Sequence, residues 1–171
     1  MPPSGNAPGI SPHIRPAMAA DWPQLWPIVS AVAGTGASYT IAPGISEPDA
    51  RVYWTGAGAH TFVAETDGHV VGTYVIKANQ PGLGSHVANA GYMVAPGWDG
   101  RGIGAAMAEH SFAAARALGF VAMQYNAVVS TNTRAVALWQ RFGFTIVGTV
   151  PKAYRLHDRE LVDLHIMHRF L

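Results

Sequence analysis

The chain has 171 residues, of which 49% are hydrophobic and only 12% charged, and its formal net charge is +1. That length and apolar content fit one domain with its own core, and the sparse, balanced charge leaves no broad basic face for nucleic acid or an anionic membrane. There is no cysteine, which excludes disulfides, thiolate metal sites and a cysteine-borne covalent intermediate.

Residues 1–12 have neither the charged start nor the apolar run of a signal peptide, so a flexible tail is expected ahead of a domain spanning 13–171. No window reaches the roughly 20 apolar residues of a membrane helix, and a cytoplasmic location is expected. His13–Ala17 predicts a short strand. Asp21 stands where a helix cap is wanted, before Leu25, Trp26, Ile28, Val29 and Val32 at helical spacing. Gly34 and Gly36 end that helix, the loop 38–44 follows, and Glu47–Trp54 predicts a second helix. His60–Glu65 and His69–Lys77 form a hairpin about Asp67-Gly68, a dipeptide suited to tight turns.

The strand Asn89–Val94 then runs into a glycine-rich turn and directly into a helix, Ile103–Leu118, closed by Gly119. Glycines at 100, 102 and 104 let the backbone approach an anion, and the free N–H groups and positive dipole end of the helix point at it. This is a phosphate cradle. Gly100, Gly102 and Ala105 also fit the dinucleotide pattern G-x-G-x-x-G/A. That pattern wants an acidic residue about 20 positions further on to hold a ribose hydroxyl, and no Asp or Glu occurs between Glu109 and Asp158. The acid-free stretch carries Arg116, Arg134, Arg141, Lys152 and Arg155, either scattered solvated cations or a field that favours a ligand with several phosphate charges.

Phe120–Val129 is apolar on both faces, as a central strand should be. A helix over Thr131–Phe142 and strands over Phe144–Val150 and Leu161–Phe170 complete the chain. Strand, crossover helix and strand make a parallel pair at the centre. The expected fold class is therefore α/β, a mixed sheet of about six to seven strands flanked by about four helices in a single domain.

Two segments together, Asp99-Gly-Arg-Gly-Ile-Gly104 and the later Asn132, Ala135, Leu138, Trp139, Gly143 and Phe144, resemble the motifs Q/R-x-x-G-x-G/A and N-x-x-A-x-x-L-Y-x-x-x-G-F of the GCN5-related N-acetyltransferases (GNAT). The resemblance implies acetyl-CoA as co-substrate, with its pyrophosphate held by Asp99, Gly100, Arg101, Gly102, Ile103, Gly104 and Ala105. It implies that backbone groups of Met93 and Val94, where the strand splays from its parallel neighbour, meet the pantetheine arm and the thioester carbonyl. Asn132 and Trp139 would add coenzyme contacts, although Asn132 also sits where a helix cap is wanted. Two departures stand out. Asp99 replaces the usual Gln or Arg, and Trp139 replaces a tyrosine near the coenzyme sulfur, where an indole cannot protonate a thiolate.

A narrower likeness, carried by Asn89, Asn126, Ser130-Thr-Asn132, Trp139 and Val147–Tyr154, is to acetyltransferases of the proline analogue azetidine-2-carboxylate. It implies that amides hold a small imino acid and the transferring acetyl group. The expected acceptor site comprises Asn89 and Asn126 with Tyr39, whose loop after the first helix could floor an acceptor pocket; each amide has a structural alternative, satisfying a splayed backbone. No carboxylate falls on either central strand, so Tyr92, Tyr125, Tyr154, His157 or a water chain must move protons, with Tyr154 the candidate donor to the leaving thiolate.

The expected reaction is acetyl transfer to the amine of a small amino or imino acid by direct attack in a ternary complex. The rivals are a non-catalytic acyl-CoA sensor and a peptide N-terminal acetyltransferase. No metal is expected: His165 and His168 lie three apart on a strand and face opposite sides. A homodimer is expected by analogy alone.

Overall fold

Asp67 and Gly68 both take positive φ, 51° and 77°, the pairing that a two-residue hairpin turn demands. They join β2 (His60–Thr66) to β3 (His69–Ala78). A computed structural model describes residues 11–157 and 159–171, and residues 1–10 of the expected tail lie outside these. The remaining elements are β1 (His13–Pro16), α1 (Trp22–Gly34), α2 (Glu47–Thr55), β4 (Val87–Val94), α3 (Ile103–Ala117), β5 (Ala122–Val129), α4 (Thr133–Arg141), β6 (Thr145–Leu156) and β7 (Glu160–Phe170).

Among the described residues seven strands make one sheet in the order β1-β2-β3-β4-β5-β7-β6. β4 and β5 are parallel, as the crossover through α3 requires, and the other neighbours are antiparallel. The single α/β domain and mixed sheet match the expected class. No helix of the described residues is long and apolar enough to cross a membrane.

Alternation along β4 divides the core. Ala88, Ala90, Tyr92 and Val94 join the cluster beneath α3 with Ile103, Met107 and Phe112. Met93 lies on the other face, among Leu25 and Val29 of α1 and Ala50 and Trp54 of α2. Fully burying the larger apolar ones, such as Ile103, Met107, Met93, Leu25 and Val29, contributes about 1.5–3 kcal/mol each, so each helical layer is pinned to the strand that also borders the site.

Two sequence expectations need correction. Asp21 precedes α1 without capping it through its side chain. Its carboxylate instead receives two hydrogen bonds from Arg15, at 2.8 and 2.9 Å, and one from the Met18 N–H. A guanidinium fork is a stronger partner for a buried carboxylate than one helix N–H. β6 also continues past Val150 to Leu156. Its register shifts between Val150 and Tyr154, Lys152 takes φ 53°, and the Lys152 N–H finds the Asp163 carboxylate at 2.9 Å. Pro151 is tolerated because β6 is an edge strand.

Candidate active site

β4 and β5 pair only at Val87–Ala122 and Ala88–Met123. Beyond that point they part, and β5 bulges between Tyr125 and Val128, which bends a strand away from its neighbour. On its other edge β4 is fully paired with β3 from Ala88 to Val94. Val87 accepts from Asn79 and Ala95 donates to Val71, so the odd-numbered residues between them exchange bonds with β3 and the even-numbered ones face the gap. Ala90, Tyr92 and Val94 thus turn backbone groups into an opening between parallel strands.

Met93 and Val94, the two expected contacts, both border the same cavity but differ in backbone direction. Val94 presents its backbone to the gap, whereas Met93 is in register with Thr73 among the β3-bonded set and its side chain is 1% exposed. Two polar side chains serve the edges of the gap. Asn89 donates from Nδ2 to the Gln124 carbonyl at 2.9 Å, and the Tyr39 hydroxyl donates to the Tyr92 carbonyl at 2.8 Å.

A cavity of about 1060 Å³ runs from the glycine turn, across the gap, to the loop after α1 and the end of α2. At the first end Gly100 and Gly102 adopt φ of 78° and 85°, the left-handed region that favours glycine. The first bond inside α3 is from Ala106 N–H to the Gly102 carbonyl. The N–H groups of Gly102, Ile103, Gly104 and Ala105 therefore lack helical acceptors, and these four residues line the cavity beside Asp99. Arg134 lines it too, with its Nη2 3.7 Å from where a Cβ on Gly100 would stand. Arg101 is turned elsewhere, its guanidinium 4.8 Å over the Trp98 ring, so only its backbone belongs to the turn. The Asn132 side chain accepts from Ala135 N–H at 3.1 Å and caps α4 at the cavity wall.

Trp139 forms the apolar back of the gap, with ring centroids 5.0 Å from Tyr92 and 4.7 Å from Tyr125. Below it the Tyr92 hydroxyl meets Ser111 Oγ at 2.7 Å and the Tyr125 hydroxyl at 3.0 Å. Burial pushes the Tyr92 phenol up to about 12 and the Tyr125 phenol well above its ordinary value. Both are therefore neutral at physiological pH, proton donors and not bases.

The other end is lined by Tyr39, Tyr53, Trp54, Lys77, Asn89 and Asn126. The Tyr39 ring sits over Gly91, where a Cβ would come within 3.0 Å of its hydroxyl. Asn89 and Asn126 do face one cavity, but each amide nitrogen is engaged by protein: Asn126 Nδ2 donates to Asn79 Oδ1 at 2.6 Å, and its Oδ1 accepts from Gln124 at 2.9 Å.

Tyr154, expected as a proton donor, lies outside the cavity lining, and its hydroxyl donates to the Tyr39 carbonyl at 3.0 Å, so it holds the Tyr39 loop in place. His157 helps, through its backbone N–H to the Gly36 carbonyl and its ring Nδ1, 3.0 Å from the Thr35 carbonyl.

His165 contacts Thr149 Oγ1 at 2.9 Å, while His168 packs edge-on against Phe170. Among the described residues no three His, Cys, Asp or Glu side chains are grouped to hold a metal ion.

Large aromatics at Trp54, Trp98 and Trp139 could line a site or simply fill core, and all three border the cavity; sequence reasoning passed over Lys77 and Tyr53. A lysine near the end of an apolar strand was the available signal for the first; nothing local marks the second.

A cradle at a helix N-terminus, fed by the splayed strand of a parallel pair, defines a class of acyl-CoA-handling fold, and a family model confirms it. Residues 30–144 match the Acetyltransferase (GNAT) family, and the chain belongs to that family. It is similar to N-acetyltransferase aca1 of Schizosaccharomyces pombe, 37% identical over 98 residues, 57% of this chain and 47% of that one. The matched stretch thus spans about half the length of that relative. It is also similar to the L-amino acid N-acetyltransferase AaaT of Escherichia coli, 33% identical over 112 residues, 66% of this chain and 68% of the relative. Among solved structures it superposes on a GCN5-related N-acetyltransferase from Kribbella flavida with a TM-score of 0.88 and 41% identity, covering 94% of this chain and 98% of that one. The fold is shared with yncA from Salmonella typhimurium, a putative acetyltransferase solved with its cofactor acetyl-CoA, at a TM-score of 0.84, 22% identity and 94% coverage of both chains.

Proposed function

We propose that this protein transfers an acetyl group from acetyl-CoA to the amine of a small amino or imino acid. The observation that carries the reading is the continuous cavity: a phosphate cradle at one end, the β4–β5 gap in the middle, and an acceptor end whose lining contains no carboxylate side chain among the described residues. The E. coli relative, described as an L-amino acid N-acetyltransferase, supports the acceptor class.

The residues present fit the coenzyme. The N–H groups of Gly102 to Ala105 would hold the pyrophosphate, with Arg134 adding positive charge beside Gly100. The gap-facing groups of Ala90, Tyr92 and Val94 would hold the pantetheine arm, and their N–H groups are donors for an acyl oxygen on which charge builds up. Acetyl-CoA supplies the activated acetyl thioester.

The acceptor nitrogen, unprotonated, forms a bond to the acetyl carbon as the carbon–sulfur bond breaks. Among the described residues the cavity lining holds neither a carboxylate at the acceptor end nor any histidine, so the amine proton leaves through water at the open mouth. The neutral phenols of Tyr92 and Tyr125, beside the Trp139 wall, would protonate the departing thiolate, a post the indole cannot fill. The scheme is direct attack in a ternary complex, the absence of cysteine removing a cysteine-borne acyl intermediate, and intersecting initial-rate plots are expected; parallel plots would overturn it.

The test is thiol release from acetyl-CoA across amino acids, imino acids, polyamines and peptides. Turnover confined to carboxylate-bearing small amines supports the reading. Acetyl-CoA binding without thiol release from any amine would replace it with a sensor, and turnover of peptides alone with a peptide acetyltransferase.

A further inference from the structure

We infer that Lys77 docks the carboxylate of the acceptor and thereby selects amino and imino acids over plain amines. The inference rests on the proposed reading that this end of the cavity receives the acceptor amine.

Lys77 lies on β3 directly opposite Asn89 of β4. It shares the strand face of Val75, which packs in the layer beneath α1 and α2, and it lines the cavity between Tyr53 and Asn89. Among the described residues it is the only charged side chain at that end; the other charged lining residues, Asp99, Arg134 and Arg141, belong to the cradle turn and α4.

The ammonium has three N–H donors. One goes to the Tyr53 carbonyl at the end of α2, and the Tyr53 ring lies beneath the charge at 4.5 Å. No carboxylate of the described residues forms an ion pair with it. Four acids of the neighbouring elements have other partners: Glu47 accepts from Trp22 Nε1, Asp49 from Ser46, and Asp21 and Glu65 from Arg15. A half-buried cation without a counter-ion is costly until an anion arrives. Burial lowers the Lys77 pKa, the direction expected of an ammonium short of compensating charge. A ligand carboxylate placed here would leave its neighbouring amine on the side of Gly91 and the gap, and a polyamine would meet repulsion.

Kinetics of Lys77→Met with matched acceptors test this: L-azetidine-2-carboxylate and L-methionine, each against its own carboxamide. The wild type should prefer the acids. The variant should lose about tenfold or more in kcat/KM for the acids, through KM, while the carboxamides change less than about twofold. Lys77→Arg should recover part of the loss, because it keeps the charge.

An equal loss for acid and carboxamide, with a lowered melting temperature, would reduce Lys77 to a cap on α2 and overturn the inference. A fall in kcat in both Met and Arg variants at constant KM would make it a proton acceptor and likewise overturn it. Wild-type turnover of the carboxamides but not the acids would sink the inference while leaving acetyl transfer intact. Acetyl-CoA binding with turnover of neither would sink the proposed function as well.

Discussion

The Tyr39 hydroxyl donates to the Tyr92 carbonyl at 2.8 Å, so the loop after α1 is fastened to the gap-facing edge of β4. Burial raises the Tyr39 phenol far above its ordinary value, and the donor persists through the alkaline range. Tyr39→Phe leaves that carbonyl unpaired and should cost about 1–3 kcal/mol, read from urea denaturation. Acceptor KM should rise while coenzyme affinity stays constant.

Gly91→Ala probes the same contact from the strand side. Its Cβ would stand 3.0 Å from the Tyr39 hydroxyl and 3.3 Å from the ring carbon Cε1, so the ring must shift. Calorimetry should show acetyl-CoA binding near the wild-type value, and kinetics a weakened acceptor.

Gly102→Val places a β-branched residue at φ 85°, a conformation that costs an L-residue roughly 1–2 kcal/mol and β-branched ones more, at the start of the cradle. Coenzyme A affinity should fall by more than about tenfold, since the N–H array depends on that turn. Unchanged affinity would remove the cradle assignment.

Arg134→Gln should weaken coenzyme A binding a few-fold, in keeping with a partly exposed charge, and make the affinity less sensitive to added salt. Acceptor KM should not move. An unaltered salt dependence would place the arginine outside the phosphate site.

Arg15 holds both Asp21 and Glu65 below the usual carboxylate range, mainly through its hydrogen bonds to each. A carboxylate depressed in the folded state favours folding above its unfolded pKa, and that advantage is lost as pH falls through the folded value. The loss should therefore begin near the ordinary values of 4.5 for Glu65 and 3.8 for Asp21 and deepen below them. Urea midpoints between pH 7 and pH 3 check this: Arg15→Met should start lower at neutral pH and fall less steeply.

What the sequence by itself determined was local. The Asp67-Gly68 hairpin, the Asn132 cap and the glycine cradle are each written within a few successive residues, because backbone preference and helix-end chemistry act over that range. The parallel centre followed from the order of strand, helix and strand. Even here Asp21 misled, since Arg15 and the Met18 N–H claimed the carboxylate expected to cap α1.

The end of the cavity proposed to receive the acceptor was decided only by tertiary structure. Tyr154 meets Tyr39 across 115 positions of chain, Asn89 meets Gln124 across 35, and Lys77 reaches the end of α2 across 24. Each side chain has a local alternative in the sequence, a proton donor, a ligand amide or a solvated charge. Which one is realised depends on where packing of α1 and α2 against β3 and β4 sets the partner, and no pattern within a single element encodes that.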